Sequence, residues 1–157
     1  MSIYDELANS ILAKDLTQND LHDLAEIARE QHFYKDELVF SENEEGDKFY
    51  LLMEGKVCIE RRIMSTIIPV PKLIVTVKKG QIFGEMAFVE KTVRSATARC
   101  KSNVRVLFFV YNDLKQLFSR NPELANKLLT NMAGILSKRL RRMNDQWLNT
   151  HARFPTT

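Results

Sequence analysis

The sequence has few of the residues that several common classes of protein depend on. Its 157 residues include two cysteines, three histidines and one tryptophan. No second cysteine follows either one at metal-ligand spacing, so the sequence predicts neither a disulfide framework nor a cysteine-ligated metal. The histidines, His22, His32 and His151, form no His-x-His pair and lie outside the strand-like region. A metal site is therefore not expected.

Long apolar runs and catalytic motifs are also missing. The longest apolar runs, such as Val104 to Tyr111, have the length of a strand and are interrupted by charge, and the first residues lack the form of a signal peptide. We therefore expect no membrane span and a cytoplasmic location. The sequence contains no nucleophile elbow, Walker loop or dinucleotide fingerprint. It predicts no enzyme and no cofactor.

The composition that remains is that of an ordinary globular protein, with 45% hydrophobic and 27% charged residues. A chain of this length can bury a core without disulfide or metal links, which predicts a single domain over residues 1–157. Cys58 and Cys100 lie in strand-like runs and are expected to be buried free thiols. The net charge of +3 is small. Basic residues concentrate at 138–142, but such a run usually forms a solvated helix face.

The spacing of apolar residues divides the chain into three parts. Residues 1–32 are helix-spaced, with Thr17 as a cap for a second short helix. Residues 33–111 alternate with a period of two, interrupted by turn signals, which is typical of antiparallel strands. Residues 112–149 are helix-spaced again. The pattern predicts an α+β fold, an antiparallel, jelly-roll-like β-roll flanked by N-terminal helices and a long C-terminal helix.

The C-terminal part carries its own signals. Asn112 is predicted to cap a hinge helix, and Asn121-Pro122 is predicted to end it and start the long helix. Apolar residues then recur in steps of three and four from Leu128 to Trp147. Such a stripe suits either a seam between two copies of the chain or a helix folded back over the rest of the molecule.

One segment, residues 83–97, carries the chemistry. It reads Phe83-Gly84-Glu85-Met86-Ala87, a spacer, and then Arg94-Ser95-Ala96-Thr97. It resembles the phosphate-binding cassette of cyclic nucleotide-binding domains, the ligand domains of the protein kinase A regulatory subunit and the catabolite activator protein. A second segment agrees, since Gly46-Asp47, a hydrophobic run and Gly55-Lys56-Val57 are similar to the family's early strand signature.

The residue types explain what such a cassette does. A turn at Gly84 that opens into a helix would present the backbone N–H groups of Met86 and Ala87 to an anion. The planar guanidinium of Arg94 suits a cyclic phosphodiester. Glu85 can accept a hydrogen bond from a ribose 2′-hydroxyl. The candidate ligand-binding residues are Phe83, Gly84, Glu85, Met86, Ala87, Arg94 and Ser95. The alternative is an ordinary turn at Gly84 with a surface ion pair between Glu85 and Arg94.

Two cassette positions depart from the family pattern. Val93 stands where proline is frequent, and Lys91 stands where glycine is common. Ser95 suits either base, and we favour cyclic AMP over cyclic GMP as the ligand. Alignment from Asn121-Pro122 puts Arg139 and Leu140 at the positions from which the bacterial activator contacts the adenine, so base recognition is expected to differ.

The resemblance implies a sensor in which the ligand moves the C-terminal helices and so exposes or covers a surface for an effector protein or a second copy. The alternative is a ligand-free β-roll interaction module that dimerises through its C-terminal helix. DNA binding is not expected, because only about ten residues follow Trp147 and a DNA-binding module needs several dozen.

Overall fold

The structure is a computed structural model that describes the backbone of residues 1–65 and 68–152 and the side chains of these except residues 64, 65 and 68–71. The predicted extent of 1–157 thus includes a few residues outside the described ones. The helices are α1 Ile3–Ala8, α2 Gln18–Ile27, α3 Glu85–Glu90, α4 Tyr111–Arg120 and α5 Pro122–His151. The strands are β1 Arg29–Phe33, β2 Leu38–Phe40, β3 Lys48–Glu54, β4 Val57–Ser65, β5 Ile68–Val77, β6 Ile82–Phe83, β7 Thr97–Cys100 and β8 Val104–Val110.

The strands form two antiparallel sheets. One has the order β1-β8-β3-β6 and the other the order β2-β7-β4-β5. In the first sheet β3 pairs with β8 from Lys48 opposite Val110 onward, and its other edge pairs with the short strand β6. The fold class is confirmed as an antiparallel β-roll between N-terminal helices and a long C-terminal helix.

The N-terminal segment is partly helical, and the prediction of helix up to residue 32 is wrong for its last residues. Thr17 caps α2 as predicted, in a capping box with Asp20. The chain leaves the helix at Ala28, and β1 pairs with β8 from Arg29 opposite Phe108. The first four residues of β1 are exposed, so it has no apolar alternation that would mark it as a strand. Its backbone pairing with β8 decides the conformation.

The hinge between the last two helices follows the prediction with one exception. Helix α4 begins at Tyr111 after Val110, so Asn112 is not its cap. Asn121 ends α4 and also caps α5, since its side-chain oxygen accepts a hydrogen bond from the N–H of Leu124 at 3.0 Å. Pro122 occupies the first turn of α5, where its missing N–H needs no partner.

Two apolar clusters hold the elements together. One joins the helices to the outer face of the first sheet and contains Leu24, Phe49, Phe109, Leu117 and Leu128. The other fills the space between the two sheets and includes Val57, Val106 and Cys100. Both cysteines are free and buried, as predicted. Within residues 1–65 and 68–152 no helix has the length and hydropathy needed to cross a membrane.

Candidate functional site

The predicted cassette begins at the end of β6, in the first sheet, and continues into helix α3. Strand β6 ends at Phe83, Gly84 turns the chain with a φ of 74°, and α3 starts at Glu85. Only a residue without a Cβ adopts this left-handed turn at no cost. The Phe83 ring is buried and stacks on Tyr50 with 5.1 Å between ring centres. The ring therefore packs in the core next to the cassette, and its role in ligand binding stays a prediction.

Arg94 is a charged residue of the cassette that is buried in the fold. It is 4% exposed. Its Nη1 donates to the carbonyl oxygen of Gly84 at 2.6 Å, and its Nη2 donates to that of Lys48 at 2.8 Å. The guanidinium lies 4.2 Å from the ring centre of Phe40. Its Nε is buried without a hydrogen-bond partner.

The charge of Arg94 is poorly compensated. Among the described residues, no carboxylate comes close enough to form an ion pair with it, and its direct partners are carbonyl oxygens and an aromatic face. Burial lowers the pKa of Arg94 below its ordinary value, while the more distant charges of Asp47 and Glu44 act in the opposite direction. A buried cation without a counter-ion is costly unless an anion joins it. An anion that reached Arg94 would therefore reduce the energetic cost of burying this cation.

Two glycines make the space for this arginine. A Cβ added at Gly46 would lie 2.6 Å from the Cβ of Ala87 and 2.7 Å from Nε of Arg94. A Cβ added at Gly84 would lie 2.9 Å from Nη1 of Arg94. Gly46 and Gly84, one from each predicted signature, thus both leave room for the side chain of Arg94. The loop before β3 also fixes the backbone of Arg94, whose N–H donates to the carbonyl of Glu44 at 2.7 Å.

Glu85 does not pair with Arg94, so the surface ion pair considered from the sequence is wrong. Glu85 is 4% exposed, and its carboxylate accepts a hydrogen bond from Nη1 of Arg139 on α5. The same guanidinium donates through Nη2 to the carbonyl of Ile82. One side chain of the long helix thus contacts the first residue of both β6 and α3.

Arg139 is the site residue that the sequence prediction left out of the ligand-binding set. The signal was present, because the alignment from Asn121-Pro122 already placed Arg139 at a position that faces the ligand in the bacterial activator. Its partner Glu85 lies 54 positions earlier in the chain. Spacing within one helix or strand gives no information about such a contact.

The remaining predicted residues differ in their surroundings. Ala87 is buried against Gly46, as its position on α3 requires. Met86 is 54% exposed, so its side chain points away from the core and only its backbone is positioned by the cassette. Ser95 is exposed beside the buried Arg94. The binding roles given to these residues remain predictions.

Lys91 shows how the chain accommodates its departure from the family pattern. It ends α3 with φ 54° and ψ 48°, the left-handed conformation that glycine adopts most readily. The ammonium group lies 4.9 Å from the ring centre of Tyr111, and its hydrogen bond lowers the pKa of that phenol. The contact offsets part of the backbone cost of about 1 to 2 kcal/mol.

Comparison with solved structures agrees with this geometry. A cyclic nucleotide-binding domain from Methylobacillus flagellatus matches with a TM-score of 0.85 and 24% identity, covering 94% of this chain and 83% of that one. The catabolite activator protein of Thermus thermophilus matches with a TM-score of 0.75 and 23% identity, covering 91% of this chain and 63% of that one. At these identities the likeness concerns the fold.

The chain is also similar in sequence to curated proteins. The chain is 32% identical over 92 residues to human cGMP-dependent protein kinase 2, which covers 59% of this chain and 12% of the kinase. It is 29% identical over 113 residues to a CRP-like cAMP-activated global transcriptional regulator of Mycobacterium tuberculosis, covering 72% of this chain and 47% of the regulator. The chain spans less than half the length of either relative. The family model for the cyclic nucleotide-binding domain matches residues 30–121, more than half of the chain, and the chain therefore belongs to the cyclic nucleotide-binding domain family.

Proposed function

We propose that the whole chain works as a single regulatory domain in the cytoplasm, without catalysis, and binds cyclic AMP in preference to cyclic GMP. The observation that carries this proposal is Arg94, a buried cation with no carboxylate partner among the described residues and with an orphaned Nε. A cyclic phosphodiester supplies the missing negative charge. It also has two free oxygens that match a planar guanidinium.

The other cassette groups fit the rest of the ligand. One carboxylate oxygen of Glu85 accepts the bond from Arg139, which leaves the second oxygen for a ribose 2′-hydroxyl. Gly84 keeps the backbone free of a Cβ where the sugar approaches. Each group thus addresses a different part of one small molecule, which favours a nucleotide over a simple anion.

The proposed preference for adenine over guanine rests on Ser95. Ser95 is exposed next to Arg94 and is free to contact either purine. The relatives carry both nucleotides in their names, one a cGMP-dependent kinase and one a cAMP-activated regulator. We favour cyclic AMP because a serine beside the cassette arginine accompanies cyclic AMP in the bacterial activator, and the comparison of the two affinities decides it.

Arg139 provides a route from the ligand to the C-terminal helix. It bonds Glu85 and the carbonyl of Ile82, so a ligand that moves the start of α3 also moves the point at which α5 is held. Met132 is the last fully buried residue of α5, Ile135 is the last that packs against the apolar cluster, and the helix beyond residue 140 is exposed. A displacement at Arg139 therefore meets little packing resistance farther along the helix.

Calorimetric titration tests the binding step. Cyclic AMP and cyclic GMP are titrated separately into the ligand-free protein, its Arg94→Ala variant and, as a matched control, its Arg61→Ala variant. Arg61 is exposed on β4 and pairs only loosely with Glu42 at 3.7 Å. Loss of Arg94 should weaken binding by about 2 to 5 kcal/mol, whereas the control should change it little. If the unaltered protein shows no heat and no thermal shift with either nucleotide, the proposal fails.

Amide hydrogen exchange tests the coupling step. In the unaltered protein we expect saturating cyclic AMP to change the exchange of α5 between residues 133 and 151. In Arg139→Ala the nucleotide should still bind but the response of α5 should shrink, because the link to Glu85 is gone. Arg141→Ala, an exposed neighbour on the same helix, is the control. Equal exchange of α5 with and without ligand in the unaltered protein would contradict the mechanism.

A second function has its own observation. Helix α5 exposes apolar side chains at steps of three and four, since Leu140, Met143 and Trp147 are each 59 or 60% exposed. This spacing is that of a two-helix seam, and we propose that the partner is a second copy of the chain. Light scattering of the protein and of Leu140→Asp checks it. A dimer that becomes a monomer in the variant supports the seam, and a monomer at all concentrations removes it.

A further inference from the structure

A second concave site lies beside α5, where the loop after α1 and Gln81, the residue before β6, approach the helix. It is a cavity of about 330 Å³ between the loop that follows α1 and the middle of α5. Cationic side chains line it from both elements, Lys14 from the loop and Lys138, Arg139 and Arg142 from the helix. We call it the cation cavity.

The charge in the cation cavity is unbalanced. Four cationic residues face one acidic residue, Asp15. Within the described part of the chain, no carboxylate lies within ion-pair distance of Lys14, Lys138 or Arg142, and the carboxylate that pairs with Arg139 is the buried Glu85. Like charges held together in a concave surface repel one another and raise the local concentration of anions. A solvated helix face would spread these charges instead of gathering them around one cavity.

The walls of the cavity are fixed before any ligand arrives. The side-chain amide of Asn131 on α5 donates to the carbonyl of Leu12 at 2.9 Å and to that of Lys14 at 2.7 Å. These two bonds hold the loop, and with it the backbone of Lys14, against the helix. Gly134 also lines the cavity, and no atom of the described residues lies within 4 Å of the place where its Cβ would be. The cavity is therefore a formed space between two tied elements.

From this geometry we propose that the cation cavity is a second binding site, which takes a small anion bearing one or more phosphate groups. Guanidinium and ammonium groups are the side chains that recognise phosphate oxygens, and their number here suits more than one negative charge. The volume lies at the lower end of the range of small-molecule sites. Ile11 and Ile135 add apolar wall, which leaves room for an organic body attached to the phosphate.

The site is distinct from the cassette. Arg94 and the other cassette residues do not line it. Arg139 is shared, because it lines the cavity and also bonds Glu85. For this reason the test leaves Arg139 unchanged and removes charge only at Lys14 and Arg142, which are exposed and lie at opposite walls.

Inorganic pyrophosphate is the probe, titrated by calorimetry at constant ionic strength adjusted with sodium chloride. Four proteins are compared: the unaltered chain, Arg94→Ala, the double variant Lys14→Gln with Arg142→Gln, and a control double variant Lys115→Gln with Arg120→Gln. The control removes the same two charges from exposed positions on α4, away from the cavity. A second readout is the NMR shift of the Asn131 side-chain amide and the Gly134 backbone amide.

We expect saturable binding of one pyrophosphate to the unaltered chain and to Arg94→Ala, with shifts at Asn131 and Gly134. The cavity variant should bind at least tenfold more weakly, and the control within about twofold of the unaltered chain. Equal weakening in both double variants, loss of binding in Arg94→Ala, or no saturable binding at all would each overturn the proposal. None of these outcomes depends on cyclic nucleotide binding, so the two proposals fail separately.

Discussion

Two arginines at opposite ends of the β-roll are held in contrasting ways. Arg105 on β8 bonds three carboxylates, Glu6 at 3.0 Å, Glu30 at 3.2 Å and Glu54 at 3.3 Å, and the hydrogen bond with Glu6 raises its pKa. Arg94 has two carbonyl oxygens and an aromatic face, and burial lowers its pKa. Both side chains are well shielded from water.

The difference separates a charge that carboxylates of the protein compensate from one that they leave uncompensated. Arg105 joins α1, β1 and β3 and has all the negative charge it needs, so nothing further is gained by bringing an anion to it. Arg94 is fixed as firmly, but within the described part of the chain no carboxylate pairs with its charge. An ion that arrives at Arg94 therefore gains interaction energy that no group of the protein already supplies.

The largest expected effect comes from removing each charge while keeping the side-chain bulk. Arg105→Met strands the buried carboxylate of Glu6 and should lower the free energy of unfolding by about 3 kcal/mol. Arg94→Met removes an uncompensated cation, and its unfolding free energy should stay within about 1 kcal/mol of the unaltered protein. Urea denaturation without ligand measures both. A larger loss for Arg94→Met than for Arg105→Met would reverse the comparison.

Asp20 extends the comparison to a buried acid with partners. Burial raises its pKa, but bonds from Thr17, Lys127 and Asn121 outweigh this and lower it from 3.8 to about 2. A lowered pKa means stability that is present above pH 3.8 and lost as the pH falls toward 2, amounting to about 2 kcal/mol. Urea denaturation between pH 5 and pH 2 measures it. Asp20→Asn should flatten that part of the profile, and an unchanged profile would exclude this carboxylate as the source.

Charge and shape are separated by lysine replacements. Arg94→Lys keeps the cation but has only three donors on one nitrogen, too few to bond both carbonyl oxygens and two phosphate oxygens, so affinity for cyclic AMP should fall about tenfold, or about 1.4 kcal/mol. Arg105→Lys should leave the affinity unchanged because it lies outside the cassette. Calorimetry compares the two. Equal affinity of Arg94→Lys and the unaltered protein would mean that charge alone is recognised.

The smallest effect concerns the loop beside Arg94. Lys91→Gly relieves the left-handed strain but loses the contact with Tyr111 and gains chain entropy on unfolding, so the unfolding free energy should rise by only about 0.5 kcal/mol. The matched change Lys115→Gly, at an exposed position inside α4, should lower it by about 1 kcal/mol. A decrease in both variants would show that Lys91 holds the cassette in place.

Much of the fold follows from local sequence. Alternation identified most strands, and the Thr17 cap and the break at Asn121-Pro122 were correct because each depends on residues within four positions. Strand β1 could not be predicted in this way, since its first four residues are exposed and its partner β8 lies far along the chain. The cap of α4 was predicted two residues too late, at Asn112 instead of Val110, because no side chain caps this helix.

The site shows the same limit more sharply. The cassette motif singled out Gly84, Glu85 and Arg94 because the motif is continuous in sequence, and the structure places the Arg94 guanidinium against Gly84. Their surroundings come from tertiary contacts. The carbonyl of Lys48 and the ring of Phe40 contact Arg94, and Arg139 bonds Glu85. No spacing rule relates residues so far apart. The sequence therefore names the groups, while the fold decides which of them keep an unpaired charge.

The bonds from Asn131 to the loop after α1 also determine the mechanics of the long helix. They act as a fulcrum, because the helix is tied there and exposed beyond residue 140. At 1.5 Å per residue, Arg139 lies about 12 Å from this fulcrum and His151 about 30 Å from it. A displacement of about 1 Å at Arg139 becomes roughly 2.5 Å at the end of a rigid helix. In the proposed coupling the helix is thus a lever, whose short arm is held at Glu85 by Arg139 and whose long arm is the exposed end of α5.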